Sequence, residues 1–213
     1  MPVVSYLIIA FGGYLLGSIP TGYLVAKARG IDIRTVGSKN MGATNVFRTL
    51  GKGPGIFVLF VDALKGYAAS AWMADGLLRL CNQANPDPQA SHIIAGIAAV
   101  LGHNYTCWLQ FKGGKGIATT AGVFLALAPA AVGIAIAIWI VAFVATRYVS
   151  IASILAALAL PVAVWFTKDN LALRIIALIL GALAVYKHKA NIQRLLNGTE
   201  NRIQFNKKPE AAK

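Results

Sequence analysis

The sequence is poor in charged residues for its length. Asp, Glu, Lys and Arg make up 13% of its 213 residues, whereas hydrophobic residues make up 57%. A soluble globular domain carries about 25% charged residues, so this composition excludes an ordinary soluble fold. The apolar residues also run in blocks close to the roughly 20 residues that a helix needs to cross a bilayer. We therefore predict an all-α integral membrane protein.

Cysteine is scarce, and the common catalytic signatures are missing. Cys81 and Cys107 are too few for a disulfide framework or a zinc site. None of the three histidines is followed by Asp at the fifth position, so the His-x4-Asp signature found in many acyltransferases is absent. The sequence also lacks a GxSxG serine elbow and any recognisable spacing of metal ligands. We therefore expect no metal and no other cofactor.

Seven apolar segments are predicted to cross the membrane. They cover residues 3–26, 54–74, 90–108, 116–129, 130–146, 150–166 and 170–187. The first has no basic start and no small-residue cleavage site, so we expect a retained span and not a cleaved signal peptide. The fourth is short and runs through Pro129 into the fifth, which leaves a re-entrant half-helix as the alternative. We predict one domain over residues 1–205, followed by a mobile polar tail over residues 206–213.

Acidic residues are few, and the basic residues fall mostly on one side of this topology. The chain has 20 Lys and Arg against 7 Asp and Glu. Sixteen of the 20 lie in segments 27–53 and 109–116, at Arg147, or from Lys187 onwards. The positive-inside rule then places the N-terminus outside and the C-terminus in the cytoplasm. Because topology alone explains the net charge of +13, that charge predicts no nucleic-acid partner.

Residues 37–48, GSKNMGATNVFR, hold more glycine and polar residues than a topogenic loop needs. Glycine lets the backbone approach an anion closely, hydroxyl groups donate hydrogen bonds, and arginine binds phosphate through two parallel bonds. A polar turn with a charged exit is the alternative that spacing alone leaves open. The candidate phosphate ligands are Ser38, Asn40, Gly42, Thr44, Asn45 and Arg48.

Residues 111–116, FKGGKG, lead straight into the fourth apolar segment. Two lysines separated by two glycines at a helix start combine positive charge, free backbone amides and the positive end of the helix dipole. We predict that Lys112, Gly113, Gly114 and Lys115 bind an anion. The pattern is not a nucleotide P-loop, because Gly116 follows the lysine in place of Ser or Thr. The alternative is a basic turn that only anchors the topology, which would need no glycines.

Residues 187–202, KHKANIQRLLNGTENR, continue the last apolar segment. His188, Asn191 and Arg194 recur every three residues, so they share one side of a helical continuation of that span. A histidine, an amide and a guanidinium on one side suit proton transfer or oxyanion stabilisation beside a phosphate. The alternative is an interfacial helix that turns this side to water.

Other polar residues lie within or beside the spans. Ser150 and Ser153 stand at the inner start of the sixth span, where serines are ordinary helix caps that would also face a bound ligand. Asp62 and Lys65 lie three residues apart in the second span and can pair along one helix. Ionisable groups in a span are costly, and we interpret this pair as support for the helix bundle. His103 is interpreted as a hydrogen-bonded structural residue.

Taken together and in order, three segments resemble the motifs of the bacterial acyl-phosphate:glycerol-3-phosphate acyltransferases, the PlsY family. The segments are GSKNMGATNVFR, FKGGKG with the preceding GH, and HKANIQRLLNGTE. The resemblance places phosphate and acyl-phosphate contacts on Ser38, Thr44, Asn45, Arg48 and Lys115, and further polar site residues on Ser153, His188, Asn191 and Arg194. The chain departs from the family at Lys39, where Gly is usual, and at Thr106, where Pro is usual.

The resemblance implies transfer of a fatty acyl group from acyl phosphate to the 1-hydroxyl of glycerol 3-phosphate, the first step of bacterial phospholipid synthesis. It implies a cytoplasmic-side active site in the bacterial inner membrane, among membrane lipid, and a partner enzyme that forms acyl phosphate. Acyl phosphate is already activated, so the protein must mainly position two anions and stabilise charge. The base is either His188 or the substrate's own phosphate, with Asn191 orienting the partner. The rival function is a membrane carrier for small phosphorylated anions.

Overall fold

The computed structural model describes residues 2–203, and every regular element in that range is helical. The α-helices are α1 (Pro2–Ser18), α2 (Thr21–Lys27), α3 (Ala43–Leu50), α4 (Lys52–Ala68), α5 (Ala74–Leu80), α6 (Pro88–Asn104), α7 (Ile117–Leu127), α8 (Pro129–Thr146), α9 (Val149–Thr167), α10 (Leu171–Lys187) and α11 (Lys189–Leu196). A π-helical turn (Ala69–Met73) joins α4 to α5, and a 3₁₀ turn (Cys107–Leu109) follows α6. The prediction of an all-α protein is confirmed for these residues. The tail predicted over residues 206–213 lies outside them.

The helices match the seven predicted segments, but they differ in length. Val3–Lys27, Lys52–Leu80, Pro129–Thr146 and Val149–Thr167 are each long and apolar enough to cross a membrane. Helices α10 and α11 make a fifth candidate if they are taken as one span, although the pair is bent by 52°. Helix α6 has 17 residues and α7 has 11. The number of helices that cross therefore stays a prediction.

Large apolar side chains cover the outward faces of the bundle. Phe11, Phe60, Val144 and Phe166 are each more than half exposed, at 67%, 64%, 69% and 83%. Soluble monomers rarely expose large continuous apolar patches. This surface is therefore suited to contact with lipid.

Two predicted span boundaries are wrong. The predicted second span ends at residue 74, but the helix continues through the π-helical turn to Leu80. The predicted third span runs to residue 108, but α6 ends at Asn104. It ends there because the amides of Gly113 and Gly114 donate to the carbonyls of Asn104 and His103, at 3.2 and 2.9 Å.

The first span breaks between α1 and α2 at Pro20, which has no N–H to continue a helix. Polar side chains from other helices bind the carbonyls next to the break. The Thr106 hydroxyl donates to the Ser18 carbonyl at 2.6 Å, and Lys65 Nζ donates to the Ile19 carbonyl at 3.0 Å. These bonds satisfy backbone groups that lipid cannot satisfy. Proline, which is usual at this position in the family that the sequence resembles, could not make the hydrogen bond that Thr106 makes here.

Helices α4 and α7 lie in backbone contact through two glycines. A Cβ atom on Gly66 would lie 2.1 Å from the Thr119 carbonyl oxygen, and one on Gly122 would lie 1.9 Å from that of Ala63. Small residues allow this approach between membrane helices. The contact fixes the start of α7, and therefore the segment that precedes it, against the C-terminal part of α4.

Candidate functional site

A chain of hydrogen bonds joins the glycine–lysine segment (residues 111–116) to helix α11 and the residues after it. Lys115 Nζ donates to Asn191 Oδ1. Asn191 Nδ2 donates to Glu200 Oε1 at 2.8 Å, and Arg194 Nε donates to Glu200 Oε2 at 2.7 Å. The second and third predicted motifs therefore meet in one place. We call these four residues, with Arg48 and His188, the Glu200 cluster.

Glu200 is the member of this cluster that the sequence interpretation missed. Its side chain is 2% exposed although it lies only four residues beyond the end of α11. Gly198 makes the reversal possible, because its φ of +68° lies in the region that favours glycine. The sequence carried one signal for this residue, because Glu200 is the single acidic residue of the basic segment 187–202. A single carboxylate among cations is expected to pair with them and to be buried.

Arg48 brings the first motif into the cluster. It lies on α3, and its Nη2 donates to the carbonyl of Asn201 at 3.0 Å. Burial lowers the pKa of the Arg48 guanidinium; the charge of Glu200 raises it and that of Arg194 lowers it. Despite the lowered pKa, the arginine side chain stays charged at neutral pH. Arg48 therefore adds a partly buried positive charge beside Arg194.

Lys115 is a partly buried lysine held among other cations. Burial is the main cause that lowers its pKa to about 8; Glu200 raises the pKa, whereas Arg194 and Arg48 lower it. The ammonium group is therefore still mostly protonated at neutral pH. A bound anion would raise this pKa, because opposite charge favours the protonated form. The site is thus electrostatically prepared for an anion.

His188 lies at the junction of α10 and α11 and is 2% exposed. Its Nδ1 lies 2.7 Å from the carbonyl oxygen of Ala184, which can only accept, so Nδ1 carries the proton and Nε2 is free to accept one. Burial, and then the charge of Lys115, lower the pKa of His188 to about 4. The imidazole is therefore neutral at neutral pH. The predicted helical continuation of the last span is present as α11, but its axis is bent by 52° from that of α10 at this residue.

The loop before α3 is organised around the buried side chain of Asn45. Its Nδ2 donates to the carbonyls of Ile33, Val36 and Asn40 at 3.2, 3.1 and 2.9 Å, and its Oδ1 accepts from the Ser38 amide at 2.9 Å. Four bonds to one amide give the loop a fixed shape. Asn45 is thus the organiser of this loop, and its predicted contact with phosphate stays a prediction.

The remaining predicted ligands of the first motif lie around this loop. Asn40 Oδ1 accepts from the Gly42 amide at 2.8 Å, which shapes the entry into α3. Ser38 and Thr44 are partly buried. Lys39 has a φ of +58°, a conformation in which glycine is favoured, which explains why glycine suits this position. Phosphate contacts of Ser38, Asn40, Gly42 and Thr44 stay predictions.

The glycines of the glycine–lysine segment are required by packing. Both amides that the sequence predicts to be free, at Gly113 and Gly114, are bonded to carbonyls of α6. A Cβ atom on Gly114 would lie 2.1 Å from Nε2 of His103. Lys112 is exposed, whereas Lys115 lies in the cluster. The expected anion contact therefore falls to Lys115 and the start of α7, which has no side-chain cap.

An apolar cavity of about 90 Å³ opens beside the cluster, between α7, α8, α9 and α10. Its wall includes Ile117, two residues after Lys115, and Ala184, whose carbonyl holds His188. The other lining residues are Thr120, Ala121, Val132, Ala135, Ile136, Trp139, Ala156, Ala157, Leu160, Leu180 and Gly181. The cavity wall thus lies next to residues of the polar cluster along both α7 and α10.

The two predicted serines lie near this cavity. Ser153 Oγ accepts from the indole Nε1 of Trp139 at 3.2 Å, which ties α9 to α8 at the cavity wall. The buried hydroxyl of Ser150 has no hydrogen-bond partner among residues 2–203. A buried hydroxyl without a partner carries a desolvation cost that a ligand could remove. Ser150 is therefore a better candidate for a ligand contact than Ser153.

Comparisons with known proteins agree over nearly the whole chain. A family model described as glycerol-3-phosphate acyltransferase matches residues 7–198. The chain is 47% identical over 199 residues to a glycerol-3-phosphate acyltransferase of Geotalea daltonii, and the aligned region covers 93% of this chain and 98% of the relative. It is also similar to the crystal structure of PlsY (YgiH), an integral membrane glycerol 3-phosphate acyltransferase, in its glycerol 3-phosphate form. That similarity has a TM-score of 0.85 and 39% identity over 94% of this chain and 96% of the other.

Proposed function

The chain belongs to the glycerol-3-phosphate acyltransferase family, and we propose that it transfers a fatty acyl group from acyl phosphate to the 1-hydroxyl of glycerol 3-phosphate. The products are 1-acyl-glycerol 3-phosphate and inorganic phosphate. One observation supports this function above others: three cations from separate segments surround Glu200 directly beside an apolar cavity. Such a site suits a donor that has a phosphoryl group at one end and a hydrocarbon chain at the other.

We place the phosphoryl group of the donor at Lys115 and the first carbons of its acyl chain in the cavity. Ile117 and Thr120 line the cavity and belong to the first turn of α7, directly after Lys115. Burial of the chain is favourable by about 0.8 kcal/mol for each methylene group. The lowered pKa of Lys115 returns towards its usual range when the phosphoryl anion binds, which adds to the affinity.

We place the phosphate of the acceptor at Arg48, which bonds to the carbonyl of Asn201 next to Glu200. Arg48 lies on α3, directly after the loop that Asn45 organises, and the charge of Arg194 acts on it. Two phosphoryl groups in one site repel each other. Arg48, Lys115 and Arg194 offset that repulsion, while Glu200 holds Arg194 and Asn191 in place.

The reaction needs a base for the acceptor hydroxyl. The hydroxyl oxygen attacks the acyl carbonyl carbon, its proton passes to the base, and the bond from that carbon to the phosphate oxygen breaks. Inorganic phosphate leaves with the bonding electrons. In the free site, burial and the charge of Lys115 lower the pKa of His188 to about 4, whereas the second ionisation of a phosphate monoester has a pKa of about 6. Bound phosphoryl groups raise the pKa of His188 again, so both groups are candidate bases, and we propose the phosphate of the acceptor, with His188 orienting it.

Replacement of His188 by Gln separates the two bases, because glutamine can bond to substrate but cannot accept a proton. If the acceptor's phosphate is the base, we expect His188→Gln to lower kcat by less than about tenfold and to leave its pH dependence unchanged. A loss of about 100-fold or more, within the range of general-base catalysis, would assign the base to His188. The measurement is kcat at saturating concentrations of both substrates over a range of pH.

We also propose seven spans, with the N-terminus outside and the Glu200 cluster on the cytoplasmic side of the bacterial inner membrane. The support is that the C-terminal end of α10 and the N-terminal end of α7 both carry basic residues and meet in this cluster. Residues 1–205 would form one domain. Because acyl phosphate is a reactive mixed anhydride, we expect functional coupling to the enzyme that forms it.

The direct test uses the purified protein with acyl phosphate and labelled glycerol 3-phosphate. We expect labelled lysophosphatidate together with an equal amount of released phosphate. The same assay with acyl-CoA or acyl carrier protein in place of acyl phosphate tests the donor, and we expect no product. Counterflow of glycerol 3-phosphate across vesicles without any acyl transfer would support the carrier instead.

A further inference from the structure

A second polar cluster lies inside the helix bundle, at Asp62 and Lys65 of α4 and His103 of α6. Asp62 Oδ1 lies 2.9 Å from Lys65 Nζ and 3.6 Å from His103 Nδ1. All three side chains are 4% exposed. Charges in the interior of a membrane protein are costly and need a reason. An ion pair that only stabilised α4 would need no group from another helix. His103 lies on α6, and its position beside the pair indicates a further role.

His103 connects this pair to the glycine–lysine segment. Its Nδ1 faces Asp62, and its Nε2 lies against the backbone of Gly114, where a Cβ atom would be only 2.1 Å away. The carbonyl of His103 also accepts from the Gly114 amide at 2.9 Å. The imidazole therefore lies between the carboxylate and the residue that precedes Lys115.

Two further contacts fix the surroundings of the Asp62–Lys65 pair. Lys65 Nζ donates to the carbonyl of Ile19 at the break of the first span. The next residue, Gly66, lies against the carbonyl of Thr119 in the first turn of α7. A change in the ion pair is thus transmitted to both sides of the segment, through His103 and through α7.

We infer that Asp62, Lys65 and His103 are positioning residues for the binding of acyl phosphate. The carboxylate of Asp62, 3.6 Å from Nδ1 of His103, orients the ring electrostatically and not through a hydrogen bond. The ring supports the backbone of Gly114, and Lys115 is thereby held where it meets the donor phosphoryl group. None of the three touches the substrate. A displacement of about 1 Å in a binding group can cost about 100-fold in rate, so such support matters. The inference rests on the proposed function.

The test replaces both charged members of the pair, with the double substitution Asp62→Asn and Lys65→Gln, in which the glutamine amide keeps a donor for the carbonyl of Ile19. Removing one partner would leave an unpaired buried charge, whereas removing both is often neutral for stability. We expect a folded protein with KM for acyl phosphate raised by at least about tenfold and KM for glycerol 3-phosphate changed by less than about twofold. Affinity for a non-hydrolysable acyl phosphonate, measured by calorimetry, should fall by the same factor without any need for turnover.

His92→Gln is the matched control, because His92 lies near the other end of α6, the helix that also carries His103, and its Nε2 pairs with Asp75 Oδ2 at 3.1 Å. It should leave both KM values unchanged. His103→Gln is the second variant if the double variant does not fold, and it should show the same selective loss of donor affinity.

Unchanged donor affinity in a folded variant, or an equal rise of both KM values together with a lower Tm, would overturn the inference and leave the pair as a brace. Failure of the proposed function has a different signature, because the unaltered protein would then form no lysophosphatidate. The phosphonate affinities would still decide the positioning role in that case.

Discussion

The two polar clusters of this molecule differ in how their charge is balanced. In the Glu200 cluster one carboxylate lies among three cations, Arg48, Lys115 and Arg194. In the bundle interior Asp62 and Lys65 neutralise each other. Excess positive charge is stabilised by an incoming anion, whereas a neutral pair gains little from one. The comparison therefore favours the first cluster as the proposed binding site and the second as its proposed support.

The comparison makes its strongest prediction for the two lysines of the glycine–lysine segment. Lys115→Ala removes a charge that faces the donor phosphoryl group, and we expect kcat/KM for acyl phosphate to fall by about 100-fold or more. Lys112→Ala is the matched control, because Lys112 is exposed, and it should cost less than about threefold. Equal losses in the two variants would show that the segment contributes only overall charge.

The second prediction concerns the carboxylate that holds the cations. Glu200→Gln keeps the size of the side chain but weakens its charge-assisted bond to Arg194, worth about 2 kcal/mol. We expect kcat/KM to fall by about 30-fold and Tm to decrease. Asp169→Asn serves as control, because this carboxylate pairs with Arg174 while fully exposed. A Glu200→Gln variant with normal kinetics would exclude Glu200 from organising the site.

The third prediction tests the apolar side of the Glu200 cluster. Ala156→Phe puts a ring into the cavity and should lower kcat/KM for long-chain acyl phosphates by about tenfold, with a smaller effect on short chains. Leu158→Phe, on the exposed face of the same helix, is the control. An effect that does not depend on chain length would mean that the acyl chain lies elsewhere.

The smallest effect is expected from pH. Lys115 has a pKa of about 8 in the free site and must be protonated to bind an anion. Donor binding is therefore complete below this pH and is lost as pH rises through it, so kcat/KM should be about half of its plateau at pH 8. Lys115→Arg should move this decline to higher pH, since arginine stays charged. A profile that is the same in both proteins would assign the decline to another group.

The sequence was informative about composition and about which segments meet, since its apolar blocks are helices and its three polar motifs form one site. It was less informative where a residue acts through packing. Gly113 and Gly114 look like anion-binding glycines, but they are required because His103 lies against them. Asn45 looks like a ligand, but four bonds tie it to its own loop.

Other features depend on contacts between distant parts of the chain. The burial of Glu200 against α11 depends on the reversal of the chain at Gly198. The bend at His188 has no proline or glycine to mark it. The spacing of His188, Asn191 and Arg194 therefore predicts a helical continuation but contains no sign of the bend. Such features follow from tertiary structure, which periodicity does not contain.

The most direct measurement is a crystal structure with glycerol 3-phosphate and a non-hydrolysable acyl phosphonate bound together. We expect the phosphonate to lie within hydrogen-bond distance of Lys115 Nζ and its hydrocarbon chain to lie in the cavity between α7 and α10. The acceptor phosphate should lie at Arg48. Two anions bound away from Lys115 and Arg48, or a hydrocarbon chain outside that cavity, would contradict the proposed arrangement.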